Sequence, residues 1–471
     1  MRKILFIITL CFLSTSLHAQ NTFIKVIDTL GSDYAPCIQE TFDGGYVYCG
    51  KSNYGGNDVI IVKLDSIGTV EWGKTYSGAG IEYATYIEQT PDSGYMVNAV
   101  YNSGLNGLNW LLRLDINGDT LWTKTFSVGV GATETGNGNS MASINNSLYG
   151  LSGYYLPPSQ IFSAFFIASI GNGFQLASKI YNPSIYGAES RSIDKTYDDG
   201  FIMAGGVGTS ASTADVYVIR TNTYGDTLWT RTYNFSQNDV AFDVKETTDS
   251  GFIVAGVLYD TTVYKNNIYL IKTDSAGDTL WTKDYFNPYH QVAYSIEQTM
   301  DGGYIITGTA MNSANERNAY LIKTDADGDT LWTRIFAIST NCFGLFVRQT
   351  KDGGFIISGH SNMPPGGTII IKTDSMGMVN SGTGIAEVNN PFGFNVYPNP
   401  TAGIFTITAK GISKFNSSIK IYNLISECVY SGIISNNIPV QINLNNAPNG
   451  MYAITLHTYN KMYSQKIIIE K

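Results

Sequence analysis

Carboxylates at regular offsets are the first chemistry this sequence offers. Asp115-Ile116-Asn117-Gly118-Asp119 and Asp325-Ala326-Asp327-Gly328-Asp329 alternate oxygens in a way that superficially fits a calcium loop. Their glycine is misplaced for an EF-hand, and Asp274-Ser275-Ala276-Gly277 keeps the turn while losing the middle oxygen. The spacing therefore fits turn chemistry, with Ca2+ as the alternative. Asp33, Glu82 and Asp239 share one position of a longer period, where they could gather a cation or cap local backbone amides. No Ser-His-Asp signature, HExxH or phosphate loop appears, so no catalytic residue and no metal ligand is assigned. His290 and His360 lack a spaced partner and read as solvated loop residues.

These residues must be positioned by a repeat. GDTLWT occurs at 118–123, 225–230, 277–282 and 328–333, and a second motif begins at Asp43 (DGGYVYCG), Asp92, Asp198, Asp249, Asp301 and Asp352. Its spacings are 49, 106, 51, 52 and 51, and the long gap hides a degenerate copy at Asn145-Asn146-Ser147-Leu148. Seven units result. In the fifth, AFDVKETT, FIVAGVL, NIYLIKT and DTLWTKDYF are β-branched, aromatic runs separated by Asp-Ser-Gly and Asp-Ser-Ala-Gly turns. Four antiparallel strands repeated seven times predict an all-β, seven-bladed β-propeller.

The last unit ends at IIIKTDSMG without its LWTKTY strand, while Phe23-Ile24-Lys25-Val26-Ile27 aligns with Trp72-Gly73-Lys74-Thr75-Tyr76. The chain is thus expected to close the ring by strand exchange, which removes an open sheet edge. Alternation in DTLWTK puts Trp281, Lys283 and Tyr285 on one face. Phe23, Trp72, Trp122, Trp229, Trp281 and Trp332 are accordingly expected to fill the wedges between blades, with Ala177 at that position in the third unit. A sugar-stacking platform is the competing reading of these tryptophans.

The first and third turns of each unit are stereotyped, whereas the segments 51–58, 102–109, 155–164, 207–215, 259–267, 311–318 and 361–367 vary. Variation among otherwise matching repeats is where loops carry a site. The ligand candidates in or beside these loops and the blade connections are Asp33, Tyr54, Glu82, Tyr154, Tyr155, Glu189, Arg191, Asp239, Tyr289, His290, Arg317 and His360. They support a binding module for a glycan or protein, with a glycan-active hydrolase or lyase using paired carboxylates as the alternative.

The D-x-x-G-x-x-x-W segments resemble the tryptophan-docking repeat of quinoprotein-type propellers, with one residue fewer between Asp and Gly. The resemblance spans residues 23 to about 380 and concerns fold. That family's vicinal cysteine pair and cofactor-calcium constellation find no match here, so no cofactor is expected apart from the Ca2+ alternative above.

Composition sets the outer bounds. Charged residues are 14% and aromatic residues 13%, with 32 Tyr and 49 Gly, which suits strands between glycine turns. A net charge of −9 gives nucleic acid no electrostatic footprint. Residues 1–19 (MRKILFIITLCFLSTSLHA) read as a signal peptide, and no later run is long and apolar enough for a membrane helix. A monomer is expected. Cys37 and Cys49 flank the Asp43-Gly44-Gly45 turn, so a cross-strand disulfide and two buried thiols are both open readings.

Past a linker at 381–393, residues 394–471 read as a small β-sandwich. YPNPTAGIF, the internal GMY and the ending QKIIIEK make this stretch similar to the type A C-terminal sorting domain of the type IX secretion system. The resemblance implies export across the outer membrane by that machinery, then release or attachment at the cell surface.

Overall fold

A computed structural model describes residues 21–379 and 395–471, apart from short segments that include 29–31, 53–57, 103–106, 157–162, 211–212, 261–264 and 362–366. The signal segment, Tyr54 and most of the expected linker lie outside the described residues. The chain divides into two compact units, Met1–Gly382 and Thr383–Lys471.

In the first unit the described strands form seven antiparallel sheets, spanning 32–76, 81–126, 132–181, 188–233, 239–285, 291–336 and 342–373. We number them blades 1 to 7. The first strands of blades 1 and 2, of blades 3 to 7 in succession, and of blades 7 and 1 pack on one another, and Ser143 of blade 3 donates to Glu88 of blade 2, so these strands are the innermost and the sheets form a β-propeller. Phe23–Ile27 pairs with Gly367–Thr373, with Phe23 opposite Lys372 and Ile27 opposite Thr368, and becomes the outermost strand of blade 7.

Burial follows position. Second and third strands such as Tyr304–Met311 and Val59–Leu64 are almost wholly buried, sandwiched between neighbouring blades. The outer strand Thr279–Tyr285 alternates between exposed and half-buried, with Trp281, Lys283 and Tyr285 on the inward face as the sequence period requires.

The hexapeptide explains the wedge between blades. Trp281 meets Tyr304 of blade 6 edge-on at 6.1 Å, and a Cβ on Gly328 of blade 6 would lie 2.8 Å from the Trp281 ring. Trp72, Trp229, Trp332 and Phe23 make the same edge contact with Tyr95, Phe252, Phe355 and Tyr46. Trp122 sits likewise beneath Gly173. One turn further, Tyr285 Oη donates to Gly328 O at 2.7 Å, and Lys283 pairs with Asp329. Gly, Asp and Trp of GDTLWT are therefore two halves of one joint, the Trp of one blade fitting the Gly-Asp turn of the next. Glycine is required there twice over, by its positive φ of 79° and by the ring above it.

Blade 3 breaks the pattern and repairs it. Ala177 leaves the ring position empty, and Phe166 of the adjacent strand fills the space instead: a Cβ on Gly225 would fall 2.4 Å from Phe166, which also tilts against Phe201 at 5.3 Å.

A second joint lies under the first turn of each regular blade. Lys63, Lys272, Lys323 and Lys372 pair with Asp43, Asp249, Asp301 and Asp352 at 2.8–2.9 Å, and Arg113 and Arg220 with Asp92 and Asp198. Desolvation works against these carboxylates, yet hydrogen bonds from Thr41 and Lys63 hold Asp43 down to about 2, and those from Lys272 and Thr247 do the same for Asp249. Latches also run from blade to blade. Thr248 N donates to Gln298 Oε1 at 2.8 Å, and Lys351 N of blade 7 donates to Glu40 of blade 1 at 2.9 Å.

The third-turn aspartates spend their oxygens locally. Asp115 Oδ1 accepts from Asn117 N and Asp119 N, and Asp325 Oδ1 accepts from Asp327 N and Asp329 N. Cys37 and Cys49 stand directly opposite each other in blade 1, both buried and both free thiols.

The second unit packs a sheet of Asn395–Tyr397, Ile404–Thr408 and Val440–Asn443 and a sheet of Cys428–Ile434, Ser417–Tyr422, Gly450–His457 and Met462–Ile469 around one core, which includes Phe405, Ile421, Ile454 and Ile467. This is a β-sandwich.

Candidate binding site at the channel mouth

The inner strands carry the site, and a glycine sets it. The second motif ends in glycine in blades 1, 4, 5, 6 and 7: Gly50, Gly205, Gly256, Gly308 and Gly359. A Cβ on any of them would stand 1.7–2.3 Å from a carbonyl oxygen of the inner strand, so only glycine admits the backbone this close. The inner strand uses that approach to form a β-bulge. The register shifts between Ser190 and Ser192, Ala241 and Asp243, Ala293 and Ser295, and Gly344 and Phe346, with further shifts between Tyr34 and Cys37 and between Ala84 and Tyr86. A bulge re-aims the extra side chain. In blades 4, 5, 6 and 7 the extra residues are Arg191, Phe242, Tyr294 and Leu345.

These residues touch from blade to blade. The Arg191 guanidinium lies 4.5 Å from the Phe242 ring centre, and Phe242 meets Tyr294 edge-on at 5.3 Å. Glu189 accepts from Arg191 Nε at 2.7 Å and fixes its direction. Beyond Tyr294, Arg317 sits 5.6 Å from the Phe343 ring, Phe343 stacks flat on His360 at 4.5 Å, and Tyr34 tilts against His360 at 5.3 Å. Burial raises the Tyr294 hydroxyl against the pull of Arg317 and Arg191 beside it, and burial followed by Tyr83 and Tyr294 raises that of Tyr34. An arc of aromatic rings and two guanidinium groups thus runs through blades 4, 5, 6, 7, 1 and 2. Phe242, Tyr294, Phe343, Tyr34 and Tyr83 are all half-buried.

Three residues further along the inner strands the charged groups pair with one another. Gln39, Glu88, Ser143, Asp194, Lys245, Glu297 and Arg348 occupy one register position in the seven inner strands. Ser143 donates to Glu88, Lys245 lies 4.0 Å from Asp194 and 3.4 Å from the buried Asp243, and Arg348 lies 3.4 Å from Glu297. Gln39 and Arg348 both donate to Tyr86 Oη, at 3.2 and 3.3 Å. Burial pushes the Glu88 and Glu297 carboxyls up.

Of the residues expected from sequence, Glu189, Arg191, Arg317 and His360 come together in this arc. His360 corrects its expectation: it belongs to strand Phe355–Ser361 and is held between two rings, so it is no solvated loop residue. Glu82 and Asp239 are buried and act locally, Glu82 accepting from Gly80 N at 2.8 Å and Asp239 from Phe235 N and Ser236 N at 2.8 and 2.6 Å. Tyr289 and His290 are exposed, with His290 Nδ1 accepting from Asn266 N at 3.2 Å. Tyr154 is half-buried and pairs with Glu134 and Ala164. Tyr54 and the side chains of Asp33 and Tyr155 lie outside the described residues. Among the described residues no group of three or more His, Cys, Asp or Glu side chains is placed to hold a metal ion.

Sequence reasoning passed over Phe242, Tyr294, Phe343, Tyr34 and Tyr83. The signal that accompanies the bulge residues in blades 4 to 7 is the glycine closing the second motif, which admits the close approach of the inner strand.

The fold and this arc define an exported all-β protein: a propeller with a decorated channel mouth, joined to a sandwich tail. The tail is more specifically identified, since residues 395–470 match the model of the secretion system C-terminal sorting domain. It is a type IX sorting domain, and the protein is secreted or attached to the outer surface. No curated protein matches the chain. Solved structures similar to it include a fungal alcohol oxidase in complex with copper (10% identity, 95% of this chain and 98% of that one, TM-score 0.43). Another is a puromycin hydrolase (10%, 81% and 59%, 0.48), and a third is a protein of unknown function from Dyadobacter fermentans (10%, 74% and 98%, 0.42).

Proposed function

We propose that this protein is a non-catalytic binding propeller, delivered outside the cell by its sorting tail, which takes a glycan or protein ligand at the channel mouth. One observation carries the reading: the bulge is held by glycine in blades 4 to 7, while the residue at it changes from Arg191 to Phe242 to Tyr294, all partly exposed, and to a buried Leu345. A fixed frame offering different side chains serves recognition. The seven sheets are read as a closed ring of seven blades with Phe23–Ile27 as the exchanged strand, and the Trp-on-Gly joint as the quinoprotein-type docking contact, in fold only.

The carboxylates a hydrolase or lyase would use, Glu82 and Asp239, cap neighbouring amides, which supports binding over turnover. The test is a glycan-array and activity screen of the secreted protein, with and without chelator. Saturable binding without turnover, weakened by Phe242→Ala, supports the proposal. Turnover abolished by Glu82→Gln or Asp239→Asn overturns it.

A further inference from the structure

We propose that the channel mouth selects a saccharide bearing carboxylates, a uronate-type glycan, in preference to a neutral one. This rests on the binding reading above and adds the ligand's chemical class. Three observations lead to it.

The first is the contrast in pairing along the channel. In the belt three residues further along the inner strands, Lys245 and Arg348 each have a carboxylate within 4.0 Å, as Arg191 has in Glu189. At the mouth, Arg317 is exposed and has no carboxylate partner among the described residues, in a chain whose net charge is −9. Among the described residues Arg191 meets Glu189 through Nε, which leaves its terminal nitrogens as donors. Two guanidinium groups therefore flank the mouth with donors to spare, and a planar fork of N–H groups is the natural receptor for a carboxylate.

The second is convergence. Both arginines stand close enough to Tyr294 to act on its hydroxyl, and each leans on an aromatic ring, Phe242 at 4.5 Å and Phe343 at 5.6 Å. Guanidinium on ring is a rigid, low-entropy arrangement. The two charges thus rest on rings of the arc that also holds Tyr294.

The third is the form of the platform. Half-buried Phe242, Tyr294, Phe343 and Tyr34 lie along one arc, Phe242 edge-on to Tyr294 and Phe343 and Tyr34 joined through His360, and their remaining exposed apolar surface suits sugar C–H groups. A chain of alternating ring faces and carboxylates matches rings and guanidinium groups spaced along one arc. An acidic peptide would meet the charges and leave the ring faces unused.

The experiment titrates the full secreted protein with an array of uronate-containing oligosaccharides, with the same compounds carboxyl-reduced to neutral sugars, and with polyglutamate. The expected result is binding of at least one uronate compound, at least about tenfold weaker binding of its reduced form, and no comparable binding of polyglutamate. Arg317→Ala and Arg191→Ala should each weaken the uronate by about tenfold and leave the reduced sugar's affinity unchanged. Equal affinity for charged and reduced sugars overturns the proposal while leaving the binding reading intact. Polyglutamate binding as tightly as the best saccharide, or no uronate bound at all, also overturns it. Saccharide binding indifferent to both Phe242→Ala and Tyr294→Ala overturns the site itself. Unchanged unfolding midpoints of the four variants keep these outcomes interpretable.

Discussion

The outer wall of the propeller and the mouth of its channel are built on the same repeat and treat it oppositely. On the wall, Trp72, Trp122, Trp229, Trp281 and Trp332 each meet the Gly turn of the next blade, and the contact recurs with the same residues. At the mouth the backbone recurs, with bulge and glycine alike, but the side chains presented are Arg191, Phe242 and Tyr294, while Leu345 is buried. Packing one blade on the next poses the same problem each time and receives the same answer. A ligand placed off the pseudosymmetry axis meets each blade differently, so the residues facing it diverge. Sameness among repeats therefore marks structure, and difference on a conserved frame marks recognition.

Breaking the wall should give the largest effects. Trp281→Ala is expected to cost about 3–5 kcal/mol, read from denaturant unfolding, with ligand affinity unchanged in the folded fraction. Phe166→Ala should cost a similar amount, because that ring performs the Trp role for blade 3 although it sits on a different strand. An effect below about 1 kcal/mol would show that blade 3 tolerates an unfilled wedge.

Acid should loosen the wall next. Asp43, Asp92, Asp198, Asp249, Asp301 and Asp352 all have folded-state values below the ordinary carboxylate range. A depressed carboxyl contributes stability that is present above its unfolded value, about 4, and lost as pH falls through its folded value. The unfolding midpoint should therefore drop between about pH 4 and the value of about 2 held by Asp43 and Asp249. Replacing Lys272 by Met should flatten that drop by one joint's share. A midpoint flat across this window would mean the turn pairs are idle.

At the mouth the expected changes fall on affinity and spare stability. Phe242→Ala should weaken ligand by tenfold or more while moving stability by about 1 kcal/mol or less, since the ring is half-open. His290→Ala, exposed and off the arc, is the small control: stability within about 0.5 kcal/mol and no change in binding.

The fold was largely legible before the structure. Asp-Gly turns, β-branched runs and the gapless match of Phe23–Ile27 to the missing strand lead to four-stranded blades, and that strand pairs with Gly367–Thr373. The site was legible only in part. Arg191, Arg317 and His360 were visible as polar residues near variable segments, but the rings between them were not, because Phe242 and Tyr294 sit inside strands whose alternation looks regular. A bulge shifts the side-chain phase by one residue, and nothing in a period-two pattern announces it. Phe166 was missed for a related reason: its role passes across a strand pair, from Ala177 to a neighbour remote in sequence.

The most direct test of the division between wall and mouth compares Trp281→Ala with Phe242→Ala in the full secreted protein, measuring unfolding free energy and affinity for the best-binding oligosaccharide on the same samples. The account predicts a crossed result: Trp281→Ala loses about 3–5 kcal/mol of stability and keeps its affinity, while Phe242→Ala keeps its stability and loses at least about tenfold in affinity. Affinity lost in Trp281→Ala at an unchanged unfolding midpoint, with Phe242→Ala binding normally, would contradict it.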